Sequence, residues 1–153
     1  ERTVFKTKDN IGIAPAICYE SIYGDFLSEY VRNGADIIAI ITNDGWWGDS
    51  PGYKQHNSYA RLRAVEFRLP IARSANTGIS GFIDIKGKDI IQTKYWEKDV
   101  RVHQVQLSND MTFFARWGAF LGRTAWFISV FMLLSALVKG KTDIRFKKKK
   151  IGS

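Results

Sequence analysis

The stretch Ile13-Ala14-Pro15-Ala16-Ile17-Cys18-Tyr19-Glu20-Ser21 decides how this 153-residue chain folds. Small and apolar residues, enough for one buried strand, run into the only cysteine of the sequence. Polar residues and a helical pattern follow. Cys18 therefore falls where a strand gives way to a helix. The dipole and free N–H groups of a helix start favour an anion, which eases ionisation of a thiol placed there. Cysteine is also among the most often buried residues, so a packed core thiol is the other reading this stretch allows.

Downstream, residues 21–33 place Ile22, Phe26, Leu27, Tyr30 and Val31 on one helical stripe, closed by the Asn33-Gly34 cap pair. Residues 36–42, Asp36-Ile37-Ile38-Ala39-Ile40-Ile41-Thr42, form an apolar run of strand length. Its lack of alternation suggests a strand covered on both faces. Strand, helix and strand at this spacing make a βαβ unit, which sets the class as α/β with parallel pairing. Upstream, residues 3–6 favour a strand and Lys8-Asp9-Asn10 a turn.

Beyond the second strand lies a loop, Asn43-Asp44-Gly45-Trp46-Trp47-Gly48-Asp49-Ser50-Pro51-Gly52. It starts where α/β sheets place ligands, at the C-terminal end of a buried strand. Trp46 and Trp47 are candidates for substrate binding. They serve equally as interfacial anchors or as packing for the domain. Ser50-Pro51 is a good N-cap and N1 pair, opening a helix that ends near Leu69-Pro70. Tyr53, Ala60, Ala64 and Phe67 share one side of it. Its charges, among them the pair Arg63 and Glu66, read as a solvated face. Strands follow at 71–75, 79–85, 90–96 and 100–107, with a hairpin turn at Lys86-Gly87-Lys88-Asp89.

Charge is unevenly placed. The net charge is +8, but Lys139, Lys141, Arg145, Lys147, Lys148, Lys149 and Lys150 against Asp143 leave residues 1–138 at only +2. The body is nearly neutral, so the basicity does not signal nucleic-acid binding. The tail directly follows an apolar segment and suits a membrane surface. Residues 125–138 carry no charge. Extended back to Trp117 the segment reaches 22 residues and includes only Arg123, enough for one transmembrane helix. Trp117 and Trp126 suit the interface on one side and the lysines the other. One cysteine excludes an intrachain disulfide. His56 and His103 are the only histidines, too few for a metal site, and nothing in the sequence ties either to Cys18. The chain opens without Met and enters a strand within three residues, which reads as a fragment whose N-terminal part is missing.

Four motifs together resemble the nitrilase, or carbon–nitrogen hydrolase, superfamily, and more closely its membrane branch, the apolipoprotein N-acyltransferases. They are Ile17-Cys18-Tyr19-Glu20, the stretch from Thr42 to Ser50, Ala60-Arg61-Leu62-Arg63-Ala64-Val65-Glu66, and Arg73-Ser74-Ala75-Asn76-Thr77-Gly78-Ile79-Ser80. The resemblance implies part of a four-layer αββα sandwich over residues 1–112. A transmembrane helix over 113–138 and a basic cytoplasmic tail over 139–153 follow. It implies a bacterial inner-membrane enzyme with its catalytic domain on the periplasmic side. Its activity would be transfer of an acyl chain from a phospholipid to the N-terminal diacylglyceryl-cysteine of an apolipoprotein, with no cofactor, metal or nucleic acid. Cys18 matches the nucleophile, which takes the acyl group as a thioester. The backbone of Tyr19 matches an oxyanion donor, and Glu20 a supporting position behind the nucleophile. The catalytic Glu and Lys of the family lie upstream of any part of this chain, so the chain alone is expected to be inactive. The alternatives are a soluble nitrilase-type amidase and an inactive membrane-anchored fragment.

Overall fold

In the computed structural model, which describes residues 2–108 and 110–151 with side chains as far as Lys139, the strands line up in the order of the chain. They are β1 (Phe5–Lys6), β2 (Gly12–Ile17), β3 (Ile37–Thr42), β4 (Ile71–Ala75), β5 (Gly81–Ile83) and β6 (Asp89–Gln92). The pairs β2–β3 and β3–β4 are parallel; β1–β2, β4–β5 and β5–β6 are antiparallel. The crossovers are helical, as parallel neighbours require. They are α1 (Gly24–Arg32) and α2 (Pro51–Phe67), each preceded by a 3-10 turn, at Cys18–Ile22 and Asp44–Trp47. A short helix, α3 (Phe113–Trp117), closes this unit, which ends at Gly118.

Side chains alternate across each strand. Ala14 and Ala16 of β2, Ile38 and Ile40 of β3, Ile71 of β4 and Ile83 of β5 enter one core with Leu27, Tyr30 and Val31 of α1 and Ala60, Ala64 and Phe67 of α2. Alanines at 14, 16, 60 and 64, all at most 1% exposed, let α2 lie close on the sheet. The opposite face is covered only in part: residues 99–101 border a cavity over Ala39, Ile41 and Ala72, and His103 packs on Phe82, while Ile17 and Ile41 stay 52% and 54% exposed. The unbroken apolar run of β3 predicts cover on both faces, and this chain covers one face fully and the other in part. A helix layer and a sheet are thus two of the four layers of an αββα sandwich.

Within this unit, sequence expectations change at three places. The helix expected over 21–33 is a 3-10 turn at Cys18–Ile22 followed by α1. The five-residue turn lends little dipole to Cys18. The charged side of α2 is only partly solvated. Arg61 and Arg68 are exposed, but Arg63 is buried against Glu66 at 2.8 Å. Residues 100–107 form no strand; Val100 and Val102 are 86% and 88% exposed. Their incomplete alternation gives neither face a consistent apolar row to bury.

The second unit, Ala119–Ser153, is built on one long helix, α4 (Phe120–Ile151). Its first 20 residues, Phe120–Lys139, are long and apolar enough to cross a membrane, and none of this span is buried. Trp117 belongs instead to α3, whose Ala115 is buried and whose Phe114 packs on Phe67. The helix backbone continues through the basic tail. The side chains of Lys141, Arg145 and Lys147 to Lys150 lie outside the described residues.

Candidate active site

Cys18 stands at the C-terminal end of β2 with φ of 52°, in the left-handed region that a residue with a Cβ seldom occupies. Its thiol is free and partly exposed, neither a core residue nor a fully solvated one. The backbone is held on both sides of it. Before Cys18, the Ile17 N–H donates to Glu20 Oε2 at 2.8 Å. After it, the Cys18 carbonyl accepts from Ser21 Oγ at 2.7 Å and lies 3.3 Å from His56 Nε2. The Glu20 carboxylate is therefore turned back on the chain and occupied.

The second support comes from residues far apart in sequence. His56, on the buried side of α2, has Nε2 3.2 Å from Ser21 Oγ and Nδ1 3.0 Å from Asp44 Oδ1. Asp44 opens the 3-10 turn after β3. It also accepts from Thr42 Oγ1 at 3.1 Å and from Arg73 Nη2 at 2.7 Å. Arg73 points inward from β4 and donates its other Nη to the Ile79 carbonyl. Ser21, Asp44, His56 and Arg73 are all at most 4% exposed. Burial pushes the Asp44 carboxyl up, but hydrogen bonds from His56 and Arg73, and their charge, outweigh it and hold it below its ordinary value. Gly78 belongs here too. A Cβ at this position would overlap the Asp44 carboxylate, so only glycine lets the 76–79 turn pass beneath it.

Above this buried set lies an aromatic group. The Tyr19 ring stacks on His56 with centroids 5.5 Å apart, and Trp47 lies 5.8 Å from Tyr19 and 5.4 Å from His56. Gly52 makes room for the Trp47 indole, which a Cβ there would meet at 2.6 Å. Tyr19, Ile22, Trp47, Gln55, His56 and Tyr59 line a pocket of about 190 Å³. The two tryptophans part company. Trp47 turns into this pocket, and Trp46 projects outward with 84% of its surface exposed.

Cys18, Tyr19, Glu20 and Trp47 thus gather at one end of the sheet, with Trp46 on the outer side of the same loop. Sequence reasoning missed Ser21, Asp44, His56 and Arg73. His56 does meet Cys18, at the carbonyl rather than the thiol, so the pair is not a Cys–His dyad. The signal was present in the spacing. His56 sits four residues before Ala60 on the apolar side of α2, and Arg73 two residues after Ile71 on the inward face of β4. A polar residue at an inward position needs a buried partner. Among the described residues no group of His, Cys, Asp and Glu could hold a metal ion.

Residues 1–110 match the carbon-nitrogen hydrolase family. The apolipoprotein N-acyltransferase of Chlorobaculum tepidum is 41% identical over 112 residues, 72% of this chain and 21% of that protein. That of Sinorhizobium fredii is 39% identical over 124 residues, 81% of this chain and 23% of that protein. The chain therefore spans about a fifth of the length of these relatives. Among solved structures, a nitrilase-superfamily protein of Saccharomyces cerevisiae aligns with a TM-score of 0.54 at 20% identity, covering 64% of this chain and 38% of that one. A carbon-nitrogen hydrolase of Helicobacter pylori aligns with a TM-score of 0.55 at 13% identity, covering 62% and 40%. These two likenesses concern the fold alone. With a family match over residues 1–110, this chain belongs to the carbon–nitrogen hydrolase family.

Proposed function

We propose that this chain carries the nucleophile of an apolipoprotein N-acyltransferase, with Cys18 taking an acyl group from a phospholipid and passing it to the N-terminal amine of a diacylglyceryl-cysteine. The observation that carries the reading is the Cys18 elbow. A free thiol is held in a left-handed conformation at a strand end, in a chain 41% identical over 112 residues to a relative of that name. In the first step the Cys18 thiolate attacks the ester carbonyl carbon, and the tetrahedral oxyanion collapses with loss of the lysophospholipid alkoxide, which takes up a proton. In the second, the recipient amine attacks the thioester, loses a proton, and the thiolate leaves. A thiolate suits both steps because it is a strong nucleophile and a fair leaving group. The oxyanion needs preorganised donors, and the Tyr19 backbone N–H is one. Glu20, already bound to the Ile17 N–H, supports the elbow and is not the base. The base and a further donor come from the Glu and Lys that the family resemblance places upstream, so residues 1–153 alone are inactive in transfer.

Trp47 lines the acyl entry beside Tyr19, and Trp46 reaches into the lipid interface from the same loop. The helix Phe120–Lys139 anchors the enzyme in the inner membrane, with the domain outside and the lysine-rich end in the cytoplasm, following the excess of basic residues on that side. The exposure of this span favours the membrane enzyme over a soluble amidase.

The test is mass spectrometry of the Cys18 peptide after incubating the full-length enzyme with phospholipid. An acyl adduct labile to hydroxylamine is expected in the parent and none in Cys18→Ala. Undiminished lipoprotein acylation by Cys18→Ala overturns the assignment.

A further inference from the structure

We infer that the buried chain Ser21–His56–Asp44–Arg73 is a positioning device that aims the Tyr19 backbone N–H at the reacting carbonyl oxygen. The inference rests on the acyl-transfer reading of Cys18. In a planar trans peptide the C=O and the following N–H point in opposite directions. The Cys18–Tyr19 bond is trans. Its carbonyl is drawn inward by Ser21 Oγ at 2.7 Å and faces His56 Nε2 at 3.3 Å, both buried. The Tyr19 N–H on the same plane is therefore turned outward, away from the buried chain. Fixing the oxygen fixes the donor.

Each partner is itself held. The His56 ring cannot rotate freely, because Nδ1 is on Asp44 at 3.0 Å and its face is stacked on the Tyr19 ring. Asp44 is in turn fixed by Arg73 at 2.7 Å and Thr42 at 3.1 Å. The left-handed φ of Cys18 would otherwise relax, and relaxation would swing this peptide plane. Ser21, His56 and Asp44 form the sequence hydroxyl, imidazole, carboxylate. Yet the hydroxyl is 1% exposed and already donates to a carbonyl, so it serves as a clamp and not as a nucleophile. None of these residues touches substrate; they act through the peptide plane.

The test uses the full-length enzyme, with adducts read at the Cys18 peptide by mass spectrometry. Two reagents are compared at Cys18. p-Nitrophenyl acetate forms an Sγ–acyl bond through a tetrahedral oxyanion and releases p-nitrophenolate with the bonding electrons. Iodoacetamide forms an Sγ–carbon bond by direct displacement of iodide and makes no oxyanion. The variants are His56→Phe, which keeps a ring against Tyr19 but no hydrogen bond, and Ser21→Ala, a smaller change in case the first does not fold. Acylation slowed about tenfold or more in the folded variants, with alkylation unchanged, is expected if donor alignment is lost. His56→Gln, which keeps a polar atom for the carbonyl, is expected to recover part of the rate. Acylation at the parent rate in Ser21→Ala and His56→Phe overturns the positioning role and leaves the nucleophile assignment standing. Equal slowing of both reactions overturns it too, since that reports a thiol effect. Absence of a Cys18 thioester in the parent, with alkylation intact, removes the functional reading and this inference together.

Discussion

Asp44 is fully buried and accepts hydrogen bonds from Thr42, His56 and Arg73, so its charge is needed by everything around it. An unperturbed Asp carboxyl titrates at 3.8, and in the fold its value lies lower. A depressed folded value means stabilisation that is complete above 3.8 and lost as pH falls through the folded value. Thermal unfolding of the parent should therefore show a melting temperature that drops with acid below about pH 4. Asp44→Asn should be less stable at pH 7 and should lack that part of the acid loss. Identical pH profiles for the two proteins would remove Asp44 from the acid response. This residue also marks what was legible in the sequence. The position of Cys18 could be read because a run of small apolar residues stops at it, a local pattern. Asp44, His56 and Arg73 meet from a loop, a helix and a strand, and no local pattern joins positions 29 residues apart.

At the scale of elements, α2 shows why burial of charge escapes a periodicity argument. Its apolar positions are few: Tyr53, Ala60, Ala64 and Phe67 are buried, and His56, Asn57 and Arg63 fill the rest of the same side. A stripe carrying so many polar residues reads as surface. Burial lowers the Arg63 guanidinium and raises the Glu66 carboxyl from their ordinary values, while the attraction between them works the other way in both. Removing one member of such a pair strands the other. Arg63→Ala should cost about 3–5 kcal/mol by urea unfolding, and replacing both residues by Met should cost less than Arg63→Ala alone. A cost under about 1 kcal/mol for Arg63→Ala would match an exposed pair instead. β3 was legible because its isoleucines and Thr42 make a β-branched, apolar run that ends at Asn43, and β4 because Leu69-Pro70 stops the helix just before it. Residues 100–107 were misread because valine favours strands wherever a neighbour exists to pair with, and here none is paired.

For the whole molecule, two apolar surfaces remain exposed among the described residues: the Ile17 and Ile41 end of the outer sheet face and the helix Phe120–Lys139. If the helix spans a bilayer, the expressed chain should stay in the membrane pellet through alkaline carbonate. Placing Arg at Phe131, near mid-helix, should weaken insertion by about 3 kcal/mol in a glycosylation-mapping assay. Release of the parent chain by carbonate would make the helix a packed or surface one. The sheet has a further property, its order along the chain. Each strand pairs with the next one in sequence, from β1 to β6. Such a sheet can grow by adding one neighbour at a time, each step closing one hairpin or one helical crossover. The support beneath Cys18 does not follow that schedule. β2 and the elbow are complete by Ser21, but His56 arrives with α2 and Arg73 only with β4. During synthesis the Cys18 carbonyl waits 38 residues for His56, and His56 a further 17 for Arg73, so the buried support beneath the thiol is complete only when β4 joins.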